Sequence, residues 1–136
     1  MKHLLYLFFS VLLLAGCRDK KGNDPAPKTP AEAVAGLYTM TSITSNGRTV
    51  SLPFSGNGVS MSGSINVVAV SGKSEDANMN ITFKATGSPD TVGDGPVQVK
   101  AAGQGYELFD NGQKIGTVQG NTLSITDDGN TIVAKK

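Results

Sequence analysis

Four short segments that turn the chain back on itself constrain this sequence most: Ser45-Asn46-Gly47-Arg48, Asp110-Asn111-Gly112-Gln113, Gln119-Gly120-Asn121 and Asp127-Asp128-Gly129-Asn130. Asn-Gly and Asp-Gly pairs supply the positive φ that two-residue hairpin turns demand. Connections this short cannot carry a crossover, so the strands they join must be antiparallel neighbours. Elsewhere apolar and polar residues alternate, as in Val59-Ser60-Met61-Ser62, Ile65-Asn66-Val67 and Met79-Asn80-Ile81-Thr82-Phe83-Lys84-Ala85. That is the period of a half-buried strand. Strands are expected near 36–45, 48–54, 58–71, 77–87, 96–102, 104–110, 113–119, 121–126 and 130–135, with the C-terminal third a meander.

The apolar supply then narrows the architecture. Once residues 1–16 are set aside, about a third of the chain is apolar, a thin supply for eight or nine short strands. A sheet closed on itself needs one inward face and has no sticky edges, so the expected fold is an all-β, antiparallel up-and-down barrel. The alternative is a β-sandwich, because the loose stretch 87–96 has room for a crossing between two sheets. Ahead of the first strand, Thr29-Pro30-Ala31-Glu32-Ala33-Val34-Ala35-Gly36 carries an N-cap, a proline at the first helical position and a glycine stop. It predicts one short helical turn.

The first residues are an address. Lys2 and His3 precede an apolar run, Leu4 to Leu14, too short for the roughly 20 residues of a membrane span and suited to a signal peptide. Leu14-Ala15-Gly16-Cys17 resembles the lipobox of bacterial lipoproteins. The resemblance implies cleavage between Gly16 and Cys17 and diacylglycerol on the Cys17 sulfur, a covalent lipid and the one non-protein group expected. Two or three acyl chains hold a protein on a membrane stably. No aspartate follows Cys17 directly, which resembles an outer-membrane default in enteric-type sorting, and no acidic run marks export to the surface; a periplasm-facing orientation is favoured. Residues 17–30 contain three prolines and no large apolar side chain, the composition of a flexible tether. The domains are thus signal peptide 1–16, lipidated cysteine and tether 17–30, and barrel 31–136.

The residue inventory removes most chemistry. The only histidine is His3, the only cysteine is Cys17, and there is no tryptophan. The mature chain therefore lacks Ser-His-Asp and Cys-His catalysis, His- or Cys-based zinc sites and any intrachain disulfide. Its basic and acidic side chains balance, leaving no field for nucleic acid. Glu107 and Asp110, the nearest thing to a carboxylate pair, differ by three positions and belong on opposite faces of a strand. Glu75-Asp76 and Asp127-Asp128 lack the spacing of a calcium loop, and Gly56-Asn57-Gly58 and Gly103-Gln104-Gly105 open no helix that would cradle phosphate. Asp90-Thr91-Val92 resembles an O-glycosylation acceptor of exported bacterial proteins. No enzymatic activity is expected.

A helical turn running into Gly36-Leu37-Tyr38, followed by an antiparallel meander of roughly 100 residues, is similar to the small bacterial lipocalin-like lipoproteins. In lipocalins a Gly-x-Trp stands here, its tryptophan closing the barrel floor under an arginine from near the last strand. In this chain the aromatic is Tyr38, and the last strand offers only lysine. The resemblance implies a barrel interior that binds a small apolar molecule, with Tyr38, Met40, Phe54, Met61, Met79, Phe83, Tyr106 and Phe109 as the lining candidates. The same side chains would serve merely to fill a packed barrel. Two functions follow: a membrane-anchored module that binds an apolar ligand, or a structural envelope lipoprotein that acts through contact with another envelope protein.

Overall fold

Thr29 opens the domain as the sequence predicts. Its hydroxyl accepts the Glu32 N–H at 3.3 Å, while the Glu32 carboxylate accepts the Thr29 N–H at 2.9 Å. This reciprocal box starts helix α1 (Pro30–Val34). The Thr29 backbone and hydroxyl hydrogen bonds hold the Glu32 carboxyl below its ordinary pKa. The structure, a computed structural model, describes residues 25–136; the expected signal peptide 1–16, the expected cleavage between Gly16 and Cys17 and the expected lipidation of Cys17 lie outside the described residues.

Ten strands follow: β1 (Gly36–Ser45), β2 (Arg48–Ser51), β3 (Phe54–Gly56), β4 (Val59–Ala69), β5 (Asp76–Ala85), β6 (Thr91–Ala102), β7 (Gly105–Asp110), β8 (Gln113–Gln119), β9 (Thr122–Asp127) and β10 (Asn130–Lys135). Every pairing is antiparallel, and from β4 to β10 each strand pairs with the next in sequence. β1 closes the sheet by pairing with β10 on one side and, through Gly36–Thr39, with Ser64–Val67 of β4 on the other. The fold is an up-and-down barrel of eight strands, not a sandwich; β2 and β3 are extra strands attached to β1 and β4 where those two diverge. Asn46-Gly47, Asn57-Gly58, Asn111-Gly112 and Asp128-Gly129 all take positive φ at both residues, the geometry their hairpins require.

Two expected boundaries are corrected. The stretch 48–54 is two strands separated by Leu52-Pro53, whose peptide bond is cis; Leu52 turns into the core. The stretch 87–96 holds no crossover, because β6 begins at Thr91 and runs beside β5 from there. Gly93, Gly95 and Pro96 disguise this half of the strand, since none of them favours a sheet interior.

Alternate residues fill the barrel. Helix α1 plugs the end at which β1 starts, bringing Ala31 and Val34 into one buried cluster with Tyr38, Met40, Ile65, Val67, Val99, Leu108, Leu123 and Ala134. Tyr38 ties plug to wall: its hydroxyl donates to the Val34 carbonyl at 2.7 Å. Lys136, just past β10, sets its Nζ 4.9 Å above the Tyr38 ring centre and donates to the Ala35 carbonyl at 2.8 Å. A tyrosine under a lysine thus occupies the place where the lipocalin resemblance implies tryptophan under arginine. Gly36 sits at φ 141°, and a Cβ there would lie 2.9 Å from Lys136 Cε.

Burial raises the Tyr38 phenol above its ordinary value of 10.0. A raised folded-state pKa gives stability that is fully present below the unfolded value and lost as pH rises through the folded one. Desolvation, with the charge of Lys28, lowers Lys136; that contribution has the opposite sign but stands closer to solvent, where it is screened. As pH rises above about 10 the urea midpoint is therefore expected to fall, and Tyr38→Phe to flatten the fall. Equal slopes for the two proteins would contradict this assignment.

Candidate functional site

Six of the eight lining candidates reach the interior. Tyr38, Met40 and Met79 are buried, and Met61, Phe83 and Tyr106 pack half-buried against them. Phe54 stays 39% exposed on the short strand β3. Phe109 is corrected: it lies on the outer wall, where Lys100 Nζ stands 4.9 Å from its ring centre. Tyr106 and Phe109 differ by three positions, so strand alternation cannot turn both inward.

The interior is not uniform. At the α1 end the inward side chains are buried apart from Ala69 and Tyr106, whereas towards the Asn-Gly and Asp-Gly hairpins Ile43, Met61, Ile81, Phe83, Ile115 and Ile132 are only half-buried. Here the wall is incomplete. β6 pairs with β5 along Thr91–Gln98, but with β7 only along Gln98–Ala102. β7 ends at Asp110 and turns back, leaving the first half of β6, among the described residues, without a neighbour on that side. A cleft of about 430 Å³ opens at the gap, with Met79, Ile81, Val97 and Ile115 as its apolar floor and Asp94, Pro96, Asp110 and Asn111 at its rim.

Gly93 and Gly95 also line this cleft, and their reason for being glycine differs from that of the other in-strand glycines. A Cβ on Gly63 would run into the Met40 sulfur, one on Gly105 into the Val118 carbonyl, and one on Gly116 into the Ser124 carbonyl. Gly93 and Gly95 have no positive φ, and a Cβ on either would meet nothing within 4 Å. They pair with Ile81 and Met79, and so share their inward face. The two missing side chains leave Ile81 half-buried and open space beside Met79, which is itself buried. A second hollow, of about 510 Å³, lies outside the same gap along Asn78, Gln98 and Phe109; both hollows touch Pro96, Val97, Asp110 and Asn111.

The carboxylates do not assemble into acid–base machinery. Lys114 engages Glu107 in an ion pair, and Asp110 accepts Asn111 Nδ2 at 2.9 Å. Among the described residues no polar or charged side chain is buried, and no three His, Cys, Asp or Glu residues gather as metal ligands. Within the acceptor-like triplet, Asp90 pairs with Lys84 at 3.2 Å, while Thr91 and Val92 begin β6 instead of lying in a loop. The glycines were the overlooked signal: a Gly-Asp-Gly in an extended run, with no turn to make, leaves room for something else. No protein-family model matches the chain, nor is any curated protein or solved structure found to be similar to it.

Proposed function

We propose that this is a lipid-anchored lipoprotein of the bacterial envelope, held at the outer membrane through Cys17, whose lipocalin-like barrel binds a small apolar ligand at the end away from α1. One observation carries the binding reading. The inward side chains at that end are aliphatic and aromatic yet only half-buried, and the wall beside them opens into a cleft of about 430 Å³, a volume within the usual range of small-molecule sites. A barrel that existed only to fill itself would cover these side chains. The lipobox resemblance at Leu14-Ala15-Gly16-Cys17 and the proline-rich tether support the anchoring.

The test is native mass spectrometry of the mature protein from its own envelope, with titration by an environment-sensitive fatty-acid probe. One saturable site is expected. Met61→Lys, which sets a charge among apolar side chains, is expected to weaken the probe at least about tenfold, and Phe83→Trp to report its arrival by quenching. A bare mass together with no probe uptake would remove this function.

A further inference from the structure

β6 carries an unpaired backbone edge beside the cleft. The Val99 N–H donates to the Glu75 carbonyl at 2.7 Å, so Val99 turns its backbone groups toward the β5 side. The β5–β6 register is unbroken; Val97, Gly95 and Gly93 therefore do the same, and the residues between them face the other way. At Gln98, Lys100 and Ala102 those opposite-facing groups meet β7. Among the described residues no strand meets those of Val92, Asp94 and Pro96. The N–H and C=O of Val92 and Asp94, and the C=O of Pro96, stand open along one line. Pro96 fits this arrangement, because a strand tolerates proline where the missing donor would face an edge.

The hollows on the inner and outer sides of this gap share Pro96, Val97, Asp110 and Asn111, so space lies on both faces of the vacant strand position. A strand laid along the edge would send alternate side chains inward beside Gly93 and Gly95, toward Met79 and the half-buried Ile81 and Ile115. The side chains between them would stand outside, beside Asp94. The residues lining the two hollows include Asp94, Asp110 and Asp76 and no basic side chain. A second copy of β6 is a poor occupant, since pairing centred on Asp94 sets carboxylate against carboxylate.

The geometry points to β-strand addition: the Val92–Pro96 edge binds an extended segment of another protein, with apolar residues beside Gly93 and Gly95 and a basic residue beside Asp94. Main-chain hydrogen bonds supply the affinity, and the glycine-lined cleft and Asp94 supply the selection. The added strand shares the apolar floor of the cleft with the fatty acid of the proposed function; what it uses beyond that reading is the backbone edge of β6, which the fatty acid does not engage.

Amide hydrogen exchange read by NMR on the mature protein tests it, with a capped peptide alternating leucine and lysine as the probe. The Val92 and Asp94 amides are expected to exchange freely alone and to become protected, saturably, as the peptide is added. Replacing the peptide's lysines by glutamate is expected to weaken binding at least about tenfold, as is Gly95→Val, whose Cβ enters open space and whose folding is checked by an unchanged pattern of exchange in the other strands. Asp94→Asn is expected to narrow the preference for lysine. Amides at Val92 and Asp94 that are already protected without peptide, or unchanged by it, would overturn the inference, as would equal binding of the glutamate peptide. Probe binding by a protein whose edge amides ignore the peptide would leave the ligand function standing and this one refuted.

Discussion

Tyr38→Ala is expected to destabilise the domain by about 4 kcal/mol, within the range seen when a buried aromatic is cut back to alanine. Tyr38 is fully buried where β1, β4 and α1 meet, and it pairs with Ile65. Truncation opens a cavity between plug and wall, strips the Val34 carbonyl of its 2.7 Å donor, and removes the ring under Lys136. Helix α1 has only five residues and cannot persist on propensity; it is held by the side chains it packs against. Loss of Tyr38 should therefore free the plug as well as weaken the barrel. Against a total stability of about 5–15 kcal/mol for a domain of this size, the change is a large fraction. Urea unfolding measures it, and Tyr38→Phe, which keeps the ring and loses only the hydroxyl's bond, should cost about 1 kcal/mol. Near-equal midpoints for the alanine variant and the parent would show that Tyr38 does not join plug to barrel.

What could be read in advance follows the range of the forces involved. Hairpins at Asn46-Gly47, Asn111-Gly112 and Asp128-Gly129 were legible because a positive φ is decided within two residues. So was α1, whose box and proline are all local. The first half of β6 was not, since Gly93, Gly95 and Pro96 carry no strand preference of their own; the partner that makes them a strand is Asn78–Phe83 of β5, and pairing with another segment leaves no mark in local composition. For the same reason the closure of β1 on β4 could be expected only from the need to bury one face.

The site shows a second limit. Candidates chosen for aromatic rings and methionine gave correct inward residues where alternation agreed, and it failed at Phe109, where the parity of Tyr106 already pointed outward. Ile81 and Ile115 were passed over because aliphatics are the ordinary filling of any barrel. What singles them out is the absence of side chains on Gly93 and the open wall beside Ile115, and both become visible only when β6 is seen to outrun β7. Absent groups, in this chain, say more about the candidate site than present ones.

One chemical change at two glycines should move stability in opposite directions. Gly116 stands beside a register shift between β7 and β8, where Leu108 pairs with Gly116 and Phe109 with Lys114, leaving Ile115 as the extra residue of a bulge. The bulge bends β8 so closely onto β9 that a Cβ on Gly116 would run into the Ser124 carbonyl and lie 3.3 Å from the Ile125 Cα. Both obstacles are backbone, so the clash cannot be relieved by a rotamer change and the ladder must shift. Gly116→Ala is expected to cost about 3 kcal/mol, the upper part of the range for overpacking. At Gly95 the added methyl meets open space at an ordinary extended φ, and Gly95→Ala should stabilise by about 0.5–1 kcal/mol, because alanine loses less backbone freedom on folding. Because Ile115 lines the cleft, Gly116→Ala should also disturb ligand uptake, while Gly95→Ala leaves the fold firmer and the cleft smaller. Urea midpoints of the two variants beside the parent decide the matter: shifts of opposite sign, the Gly116→Ala loss the larger, support the assignment, and two destabilised proteins would mean that Gly95, like Gly116, serves the fold and not the cleft.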